Sequence, residues 1–357
     1  MFEKYNEISE KKRIKKNLIL PSSFLDKWIS TKEDGTKCFK YIDFQSDEII
    51  EVDVYNEPLI NVLFSWDTSF NIDRINKRYN QISKIAKSII ERRVDKEDGY
   101  ISLTGKEVLF IKYFYFLVSL LNGDYKYFFV SMDKRYRLFD AVNKETPSEV
   151  RRTILSIISY VIFEMYDYIF TSRTFESLYD YVENSGINFS EQEYKKQIII
   201  PNDVDLEQNY KFVDYYFHNI VNNTFLKMYK ISMLEKSSFL LTNKTIAHFM
   251  DERTKLNVLS VFVVDPRFAF GLVNMGPGRG EYRPMFKYLT SQNKMDRENI
   301  SACVKPEHII EEEGIYLGET QKFSFKPFEL VENQIRLIND CLTYRDLKLD
   351  FEQFLKY

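Results

Sequence analysis

The stretch from residue 237 to residue 284 decides the fold and contains SSFLLTNKT, then IAHFMDERTKLN, then VLSVFVVDPRFAFGLVNMGPGRGEYRP. Two short apolar runs in it, residues 239–241 and 258–264, are typical of buried strands, and each ends in polar or turn-forming residues. Four of the chain's eleven glycines lie between positions 271 and 280. Because loops at the ends of rigid strands often carry binding and catalytic residues, we expect any functional site in this stretch.

Helical signals dominate the middle of the chain. Residues 70–94 place apolar side chains three and four positions apart, which is the period of an amphipathic helix. Thr104 and Glu107 form a capping box that begins a helix apolar on nearly every side. A further long helix is predicted over residues 203–235. These patterns predict a helix-rich body.

The segments before and after this body have strand-like patterns. Residues 37–54 alternate as two strands of a hairpin joined by a polar turn. We therefore predict an α+β fold, in which strands from the N-terminal and C-terminal parts form a mixed β-sheet. The predicted divisions are an N-terminal arm and β-hairpin (1–69), the helical body (70–236) and an α/β lobe with the central strand-loop site (237–357).

Length, charge and cysteine usage limit the class of protein. At 357 residues the chain can form a large core and two lobes. Cys38, Cys303 and Cys341 are widely separated and odd in number, which favours free thiols in a reducing compartment. The charged N-terminus does not resemble a signal peptide, and the longest apolar run, residues 108–121, is interrupted by Lys112 and too short to span a bilayer. A cytoplasmic protein without membrane contact is expected.

Basic residues cluster locally, although the formal net charge of the chain is −3. Such clusters are usually solvated surfaces, and at most they predict weak, salt-sensitive contact with nucleic acid. One cluster belongs to the N-terminal arm and the other to the outer face of the predicted helix at 70–94: Lys11, Lys12, Arg13, Lys15 and Lys16, and Arg74, Lys77, Arg78, Lys84 and Lys87.

Motifs of the common enzyme classes are absent from the sequence. It has no GxxxxGK[ST] phosphate loop, no GxSxG nucleophile elbow, no HExxH pair and no paired CxxC. No metal or cofactor is therefore predicted. The best candidate acid–base pair is His248 with Asp251, which would share a face if residues 245–253 were helical. A structural histidine is the alternative interpretation.

Candidate ligand-binding residues flank this pair. Thr242 and Asn243 follow the first apolar run, at a position where strand ends present polar side chains. The glycine loop 276–280 could approach an anion through its backbone amides, and nearby arginines would add charge. A plain turn between strands is the alternative. The candidate residues of this loop region are Gly276, Gly278, Arg279, Gly280 and Arg283.

Three short blocks in order resemble the bacterial domain-of-unknown-function 4238 family (DUF4238). The N-terminal block of that family has a histidine, an aromatic residue and a proline before an aromatic-Leu-x-x-aromatic pattern. Its middle block is a strand ending in Thr-Ser-Asp-x-Pro with a later Pro-containing loop, and its last block is a helix with a central Asn. The matching residues here are Pro21, Phe24, Leu25, Trp28, Leu241, Thr242, Asp265, Pro266 and the helix from Ile335 through Asn339.

The resemblance implies a mixed α/β domain of bacterial or mobile-element proteins, a family without an established activity. Two positions depart from the family pattern. Leu18 stands where the family has its histidine, and Asn243 stands about where Ser or Asp is expected. Since that His and Asp are the family's most plausible chemical groups, the resemblance implies a divergent or inactive member if the family is enzymatic.

Three classes of function remain open. The first is a recognition component of a bacterial defence or mobile-element system that contacts protein or nucleic acid. The second is a divergent hydrolase or nuclease that uses residues 237–284. The third is a non-catalytic helical interaction module. The absence of a strong motif favours binding over catalysis, and a protein partner or homo-oligomer is expected.

Overall fold

The computed structural model describes residues 20–43, 48–54, 72–94, 101–121, 158–159, 161–166, 170, 220, 224–250, 257–274, 322–343 and 349–350. The chain forms two compact units. One comprises residues 1–17, 59–82 and 116–218, and the other comprises residues 18–58, 83–115 and 219–357. The second unit contains all the β-strands given below.

A short 3-10 helix, Ser22–Trp28, precedes three strands that form an antiparallel sheet in the order β1-β2-β3. The predicted hairpin at residues 37–54 is confirmed, because β2 and β3 pair in continuous register from Cys38–Asp53 to Asp43–Glu48. Gly35 makes the preceding turn with φ of 83°, a conformation that favours glycine. The strand bounds are β1 Ser30–Thr31, β2 Lys37–Asp43 and β3 Glu48–Asp53.

Two of the predicted helices are confirmed. Helix α1 spans Ile72–Val94, and α2 spans Gly105–Leu121 after the short strand β4, Ile101–Thr104. The predicted capping box is present: the Thr104 backbone N donates to Glu107 Oε2 at 2.8 Å, and the Glu107 backbone N donates to Thr104 Oγ1 at 3.2 Å. Helix α2 is buried on nearly every side, as its composition predicts.

The predicted helix over residues 203–235 is wrong at its C-terminal end, where the chain forms β5, Thr224–Ile231. The segment TFLKMYKI is rich in β-branched and aromatic residues, and β5 pairs antiparallel with β8 from Thr224 to Lys230. This long-range pairing outweighs the local helical spacing. Within the described residues, the predicted helical body at 70–236 therefore also contains strands β4 and β5.

A mixed six-stranded sheet has the order β10-β5-β8-β7-β6-β11. Its four inner strands are antiparallel, and the edge strands β10 and β11 pair parallel to β5 and β6. A separate antiparallel pair joins β4 to β9. The bounds are β6 Ile246–Met250, β7 Asn257–Asp265, β8 Phe268–Asn274, β9 Lys322–Phe325, β10 Phe328–Leu330 and β11 Leu349–Asp350.

Helix α3, Glu332–Thr343, covers one face of this sheet. Ile335 and Ile338 of α3 lie in one buried apolar cluster with side chains of β5, β6, β7 and β8, and Trp28 packs against that cluster. On the opposite face, Phe262 of β7 lies 5.7 Å from the Phe114 ring of α2, measured between centroids. The sheet is therefore buried on both faces, and polar groups on either face require partners.

The predicted α+β class is confirmed, because helices occur together with mixed and antiparallel sheets. The assignment of N-terminal strands to the mixed sheet needs correction. Among the described residues, β1 to β3 form their own sheet, and an isolated parallel bridge between Ile42 and Thr242 links it to the following lobe. None of the described helices combines the length and the apolar character that crossing a membrane requires.

Candidate functional site

A β-bulge between β6 and β7 places three polar side chains on one face of the six-stranded sheet. The two strands pair regularly from Ile246–Phe262 to Phe249–Leu259, but Met250 then pairs with Asn257 instead of residue 258. Val258 is the extra residue, and it lies with its neighbour Leu259 in the apolar cluster under α3. The bulge thereby changes the face of the sheet on which Asn257, the β7 residue before it, lies. Redirecting a side chain in this way is a common use of bulges near functional sites.

His248, Asn257 and Ser260 form the resulting bulge cluster. His248 and Ser260 are directly paired across the two strands, and His248 Nδ1 lies 2.9 Å from Ser260 Oγ. Asn257 Nδ2 donates to Ser260 Oγ at 2.7 Å and also lies 3.2 Å from His248 Nδ1. Side chains three apart in a regular strand point to opposite faces, so the contact between Asn257 and Ser260 depends on the bulge.

The bulge cluster is secluded from solvent. Only 7% of His248 and 2% of Ser260 is exposed, whereas Asn257 is partly exposed. The Asn257 Oδ1 atom is nevertheless buried, and it has no hydrogen-bond partner in the part of the chain that the structure describes. A buried amide oxygen without a partner is energetically costly, so this atom marks a position where a donor from a ligand would be stabilised.

The pairing of His248 with Asp251 is conditional on a helix over residues 245–253, and that condition is not met at Ile246–Met250, which form β6. The short apolar segment IAHFM fits either structure locally, and pairing with β7 along its length selects the strand. The shared helix face on which the pairing of His248 with Asp251 was based is therefore absent. Asp251 itself lies outside the described residues.

Thr242 and Asn243 lie at the opposite end of the sheet from Asn257, because they precede the start of β6. The Asn243 backbone N donates to the Ile42 carbonyl at 3.3 Å, and its Nδ2 donates to Asp43 Oδ1 at 2.8 Å. Thr242 Oγ1 accepts from the Lys244 backbone N at 3.0 Å. These two side chains thus attach the N-terminal sheet to the lobe, and their role in ligand binding stays a prediction.

Cys341 of helix α3 contacts both the segment around Thr242 and Asn243 and the strand β6 that carries His248. The Cys341 carbonyl accepts from Lys244 Nζ at 3.1 Å, and its thiol donates to the His248 carbonyl at 3.6 Å. Cys38 and Cys341 are both buried free thiols. The backbone of His248 is therefore held from the α3 face while its side chain joins the bulge cluster on the other face.

The predicted glycine-loop residues lie outside the described part of the chain: Gly276, Gly278, Arg279, Gly280 and Arg283. Their strand, β8, ends at Asn274, which pairs with Thr224 at the same end of the sheet as Asn257. Near this end, Lys112 of α2 is buried, and its Nζ donates to the Thr224 carbonyl at 2.7 Å. The sequence pattern treats Lys112 only as an interruption of an apolar run, and does not predict that contact.

Several of the basic side chains on α1 are occupied by contacts within the protein. The guanidinium carbons of Arg74 and Arg78 lie 4.9 Å and 4.5 Å from the ring centroids of Phe163 and Tyr166. Lys87 Nζ lies 2.7 Å from Asp26 Oδ2, and this pairing helps to raise the pKa of Lys87 against the opposing effect of burial. Lys11, Lys12, Arg13, Lys15 and Lys16 lie outside the described residues.

Asn257 and Ser260 are the site residues that the sequence does not predict. Ser260 lies within the apolar run 258–264, where a lone serine is easily taken for a small core residue. Asn257 lies at the start of that run, where an asparagine usually indicates a turn. A bulge that brings Asn257 and Ser260 to the same face is recognisable only when the pairing register is known.

Comparison of the chain with protein-family models, with curated proteins and with solved structures finds no match. Among the described residues, no group of three or more His, Cys, Asp or Glu side chains could hold a metal ion.

Proposed function

We propose that this protein recognises a ligand at the bulge cluster of His248, Asn257 and Ser260. The observation that carries the proposal is the buried Oδ1 of Asn257, which has no partner among the described residues. Folding normally satisfies buried polar groups, so a buried polar atom without a partner requires an explanation, and a ligand is one. Asn257 is held in place by its own donor bond to Ser260, so its oxygen is positioned in advance for a ligand.

The size of the ligand follows from burial. Because His248 and Ser260 are almost fully enclosed, an entering group has to be small, either a small molecule or one side chain or base of a larger partner. The protein then acts as a recognition component, with protein or nucleic acid as the source of that group. A protein partner or second copy and a weak nucleic-acid contact remain part of this proposal.

The proposed setting is a bacterial defence or mobile-element system, and it rests on the resemblance to the DUF4238 family. Two contacts join residues in or next to the blocks that carry the resemblance. The Phe239 backbone N, beside the Leu241–Thr242 match, donates to the Pro266 carbonyl at 2.8 Å. Asn339 donates through Nδ2 to the Ser238 carbonyl at 2.9 Å.

The binding proposal is tested with Asn257→Leu, which removes the amide and nearly preserves side-chain volume. A fragment library is screened by NMR against the wild-type protein, and we expect binders that shift resonances of the bulge cluster and lose affinity in the variant. Asn333→Leu, on the exposed face of α3, is the matched control and should keep full affinity. Binders that ignore Asn257→Leu, or a screen without any binder at the cluster, would contradict the proposal.

The biological setting needs a separate measurement. Bacteria that carry this gene with its neighbouring genes are challenged with phage, and plaque formation is counted. We expect fewer plaques with the wild-type gene than with Asn257→Leu, and no difference between wild type and Asn333→Leu. Equal plaque counts for wild type and both variants would contradict a role in defence, but they would not affect the binding proposal.

A divergent hydrolase is the second candidate, favoured by the 2.9 Å separation of Ser260 Oγ and His248 Nδ1. A serine hydroxyl hydrogen-bonded to an imidazole can be activated as a nucleophile. A fluorophosphonate probe tests this directly, since an activated Ser260 would become covalently labelled and Ser260→Ala would not. Ser119, whose buried hydroxyl donates to the Phe116 carbonyl, serves as the control serine. An unlabelled Ser260 would reject the hydrolase.

A further inference from the structure

Three contacts in the bulge cluster define a direction of hydrogen bonding. An amide nitrogen such as Asn257 Nδ2 carries two protons and only donates. It donates to Ser260 Oγ at 2.7 Å, and its second contact, at 3.2 Å, is with His248 Nδ1. Read as a hydrogen bond, this second contact makes His248 Nδ1 the acceptor, since Nδ2 cannot accept, and places no proton on Nδ1.

The same direction holds for the serine. Ser260 Oγ accepts from Asn257, so its own proton is free to point at His248 Nδ1, 2.9 Å away. The hydrogen bonds therefore run from the Asn257 amide through the Ser260 hydroxyl to the imidazole. A neutral imidazole that accepts at Nδ1 carries its proton on Nε2.

We infer, on the basis of the proposed recognition function, that the bulge cluster binds a ligand that donates an N–H to Asn257 Oδ1, such as a primary amide. Both amide protons of Asn257 are directed into the cluster, which leaves its oxygen as the group available to the ligand. A donor at Oδ1 polarises the amide and strengthens the bonds that follow it, because hydrogen bonds in a chain reinforce one another.

A ligand that accepts a hydrogen bond, instead of donating one, would require the tautomer of His248 that carries its proton on Nδ1. If the Asn257 amide were reversed, its oxygen would face Ser260 Oγ and His248 Nδ1, and its NH2 group would be left without a partner. His248 Nδ1 would then have to carry the proton and donate. The ligand would be an acceptor in place of a donor. The tautomer of His248 thus separates a donor ligand from an acceptor ligand.

The experiment has two readouts on the full-length protein. The first is the His248 tautomer, measured from the ring 15N shifts and their long-range couplings to the ring protons. The second is the affinity for acetamide and for N,N-dimethylacetamide, which keeps the carbonyl but has no N–H. We expect the Nε2–H tautomer and about tenfold tighter binding of acetamide, as one net hydrogen bond predicts. Asn257→Leu should abolish this preference, and Asn333→Leu should preserve it.

The contradicting outcomes differ for the ligand class and for the site. An Nδ1–H tautomer, or equal affinity for the two amides, would overturn the assignment of a donor ligand while the recognition site stands. Failure of both amides, together with a fragment screen that finds no binder sensitive to Asn257→Leu, would overturn both, and Oδ1 would then be satisfied by water only.

Discussion

Asn257 and Ser260 lie three residues apart in β7, yet Asn257 Nδ2 is 2.7 Å from Ser260 Oγ. In a regular strand the two side chains would lie on opposite faces of the sheet. The register shift after Phe249 brings them to the same face, and the extra residue, Val258, is packed under α3. The same irregularity therefore supplies both the polar cluster on one face and apolar contacts on the other.

Asn339 should contribute measurably to stability. Its Oδ1 accepts from the Leu240 backbone N at 2.9 Å, and its Nδ2 donates to the Ser238 carbonyl at 2.9 Å, so the side chain holds an extended segment as a neighbouring strand would. Asn339→Ala should lower the free energy of unfolding by about 1–3 kcal/mol, the net value of two hydrogen bonds. Chemical denaturation measures this loss.

The matched control for Asn339 is Asn333→Ala, an exposed asparagine of the same helix. It changes the same residue type without removing the backbone contacts, so its free energy of unfolding should stay within about 0.5 kcal/mol of wild type. Equal losses in the two variants would show that the contact with residues 238–240 is not responsible for the loss in Asn339→Ala.

Gly271 should not tolerate a side chain. It pairs with Lys227 of β5 and Val261 of β7, and a Cβ at this position would collide with the ring of Tyr229, which is fully buried. Gly271→Ala should cost about 1–3 kcal/mol, as overpacking does in a dense core. Thermal and chemical unfolding of the variant provide the measurement.

The control for Gly271 is a second substitution that removes the obstacle. Tyr229→Leu shortens the ring side chain, so the double variant should be less destabilised than the sum of the two single changes. Purely additive losses would show that Tyr229 is not the group that excludes a side chain at Gly271.

Much of the fold follows from local patterns. The hairpin, α1, the capping box of α2 and the apolar strand β7 are each marked by a period or a cap within a few residues. By contrast, β5 is wrongly predicted as helical, and the His248–Asp251 pairing is conditional on a helix where β6 forms, since TFLKMYKI and IAHFM are short segments compatible with either structure. Their partners lie in β8 and β7, and a single sequence does not specify that register.

The candidate site is predictable only in part for the same reason. His248 is identifiable as the one histidine in the sequence of residues 237–284. Its partners Asn257 and Ser260 depend on which residue β6 pairs with after Phe249, a property of the sheet and not of either segment alone. The predicted strand over residues 239–241 is not formed, so Thr242 and Asn243 do not follow a strand end. Thr242 makes an isolated bridge with Ile42, and Asn243 joins the N-terminal sheet through Asp43.

Acid should weaken the ion pairs that Glu51 forms with Lys32 and Lys40 on the N-terminal sheet. A hydrogen bond from Lys32, and a second from Lys40 whose Nζ is 3.3 Å from Glu51 Oε2, hold the pKa of Glu51 below its ordinary value. A depressed carboxyl pKa contributes stability above the unfolded-state pKa, and this contribution is lost as the pH falls through the folded-state pKa. Because these side chains are exposed, added salt should reduce the effect.

The Glu51 carboxyl is followed by NMR during an acid titration. Lys32→Met should raise the pKa of Glu51, and Lys37→Met, which removes a charge from the same sheet without removing this pair, should have less effect. Equal changes in both variants would show that the general charge of the sheet, and not the contact with Lys32, lowers the pKa.

The most direct test of the bulge cluster as a binding site is the free energy of unfolding of Asn257→Leu. The substitution removes the hydrogen bonds from Asn257 Nδ2 to Ser260 Oγ and His248 Nδ1 together with a buried oxygen that has no partner among the described residues, and the gain from the second change should at least offset the loss from the first. We predict that Asn257→Leu is as stable as wild type or more stable, while ligand binding is lost. A fall of about 2 kcal/mol or more, the cost of breaking a fully satisfied buried network, would show that Asn257 serves the fold and contradict the account.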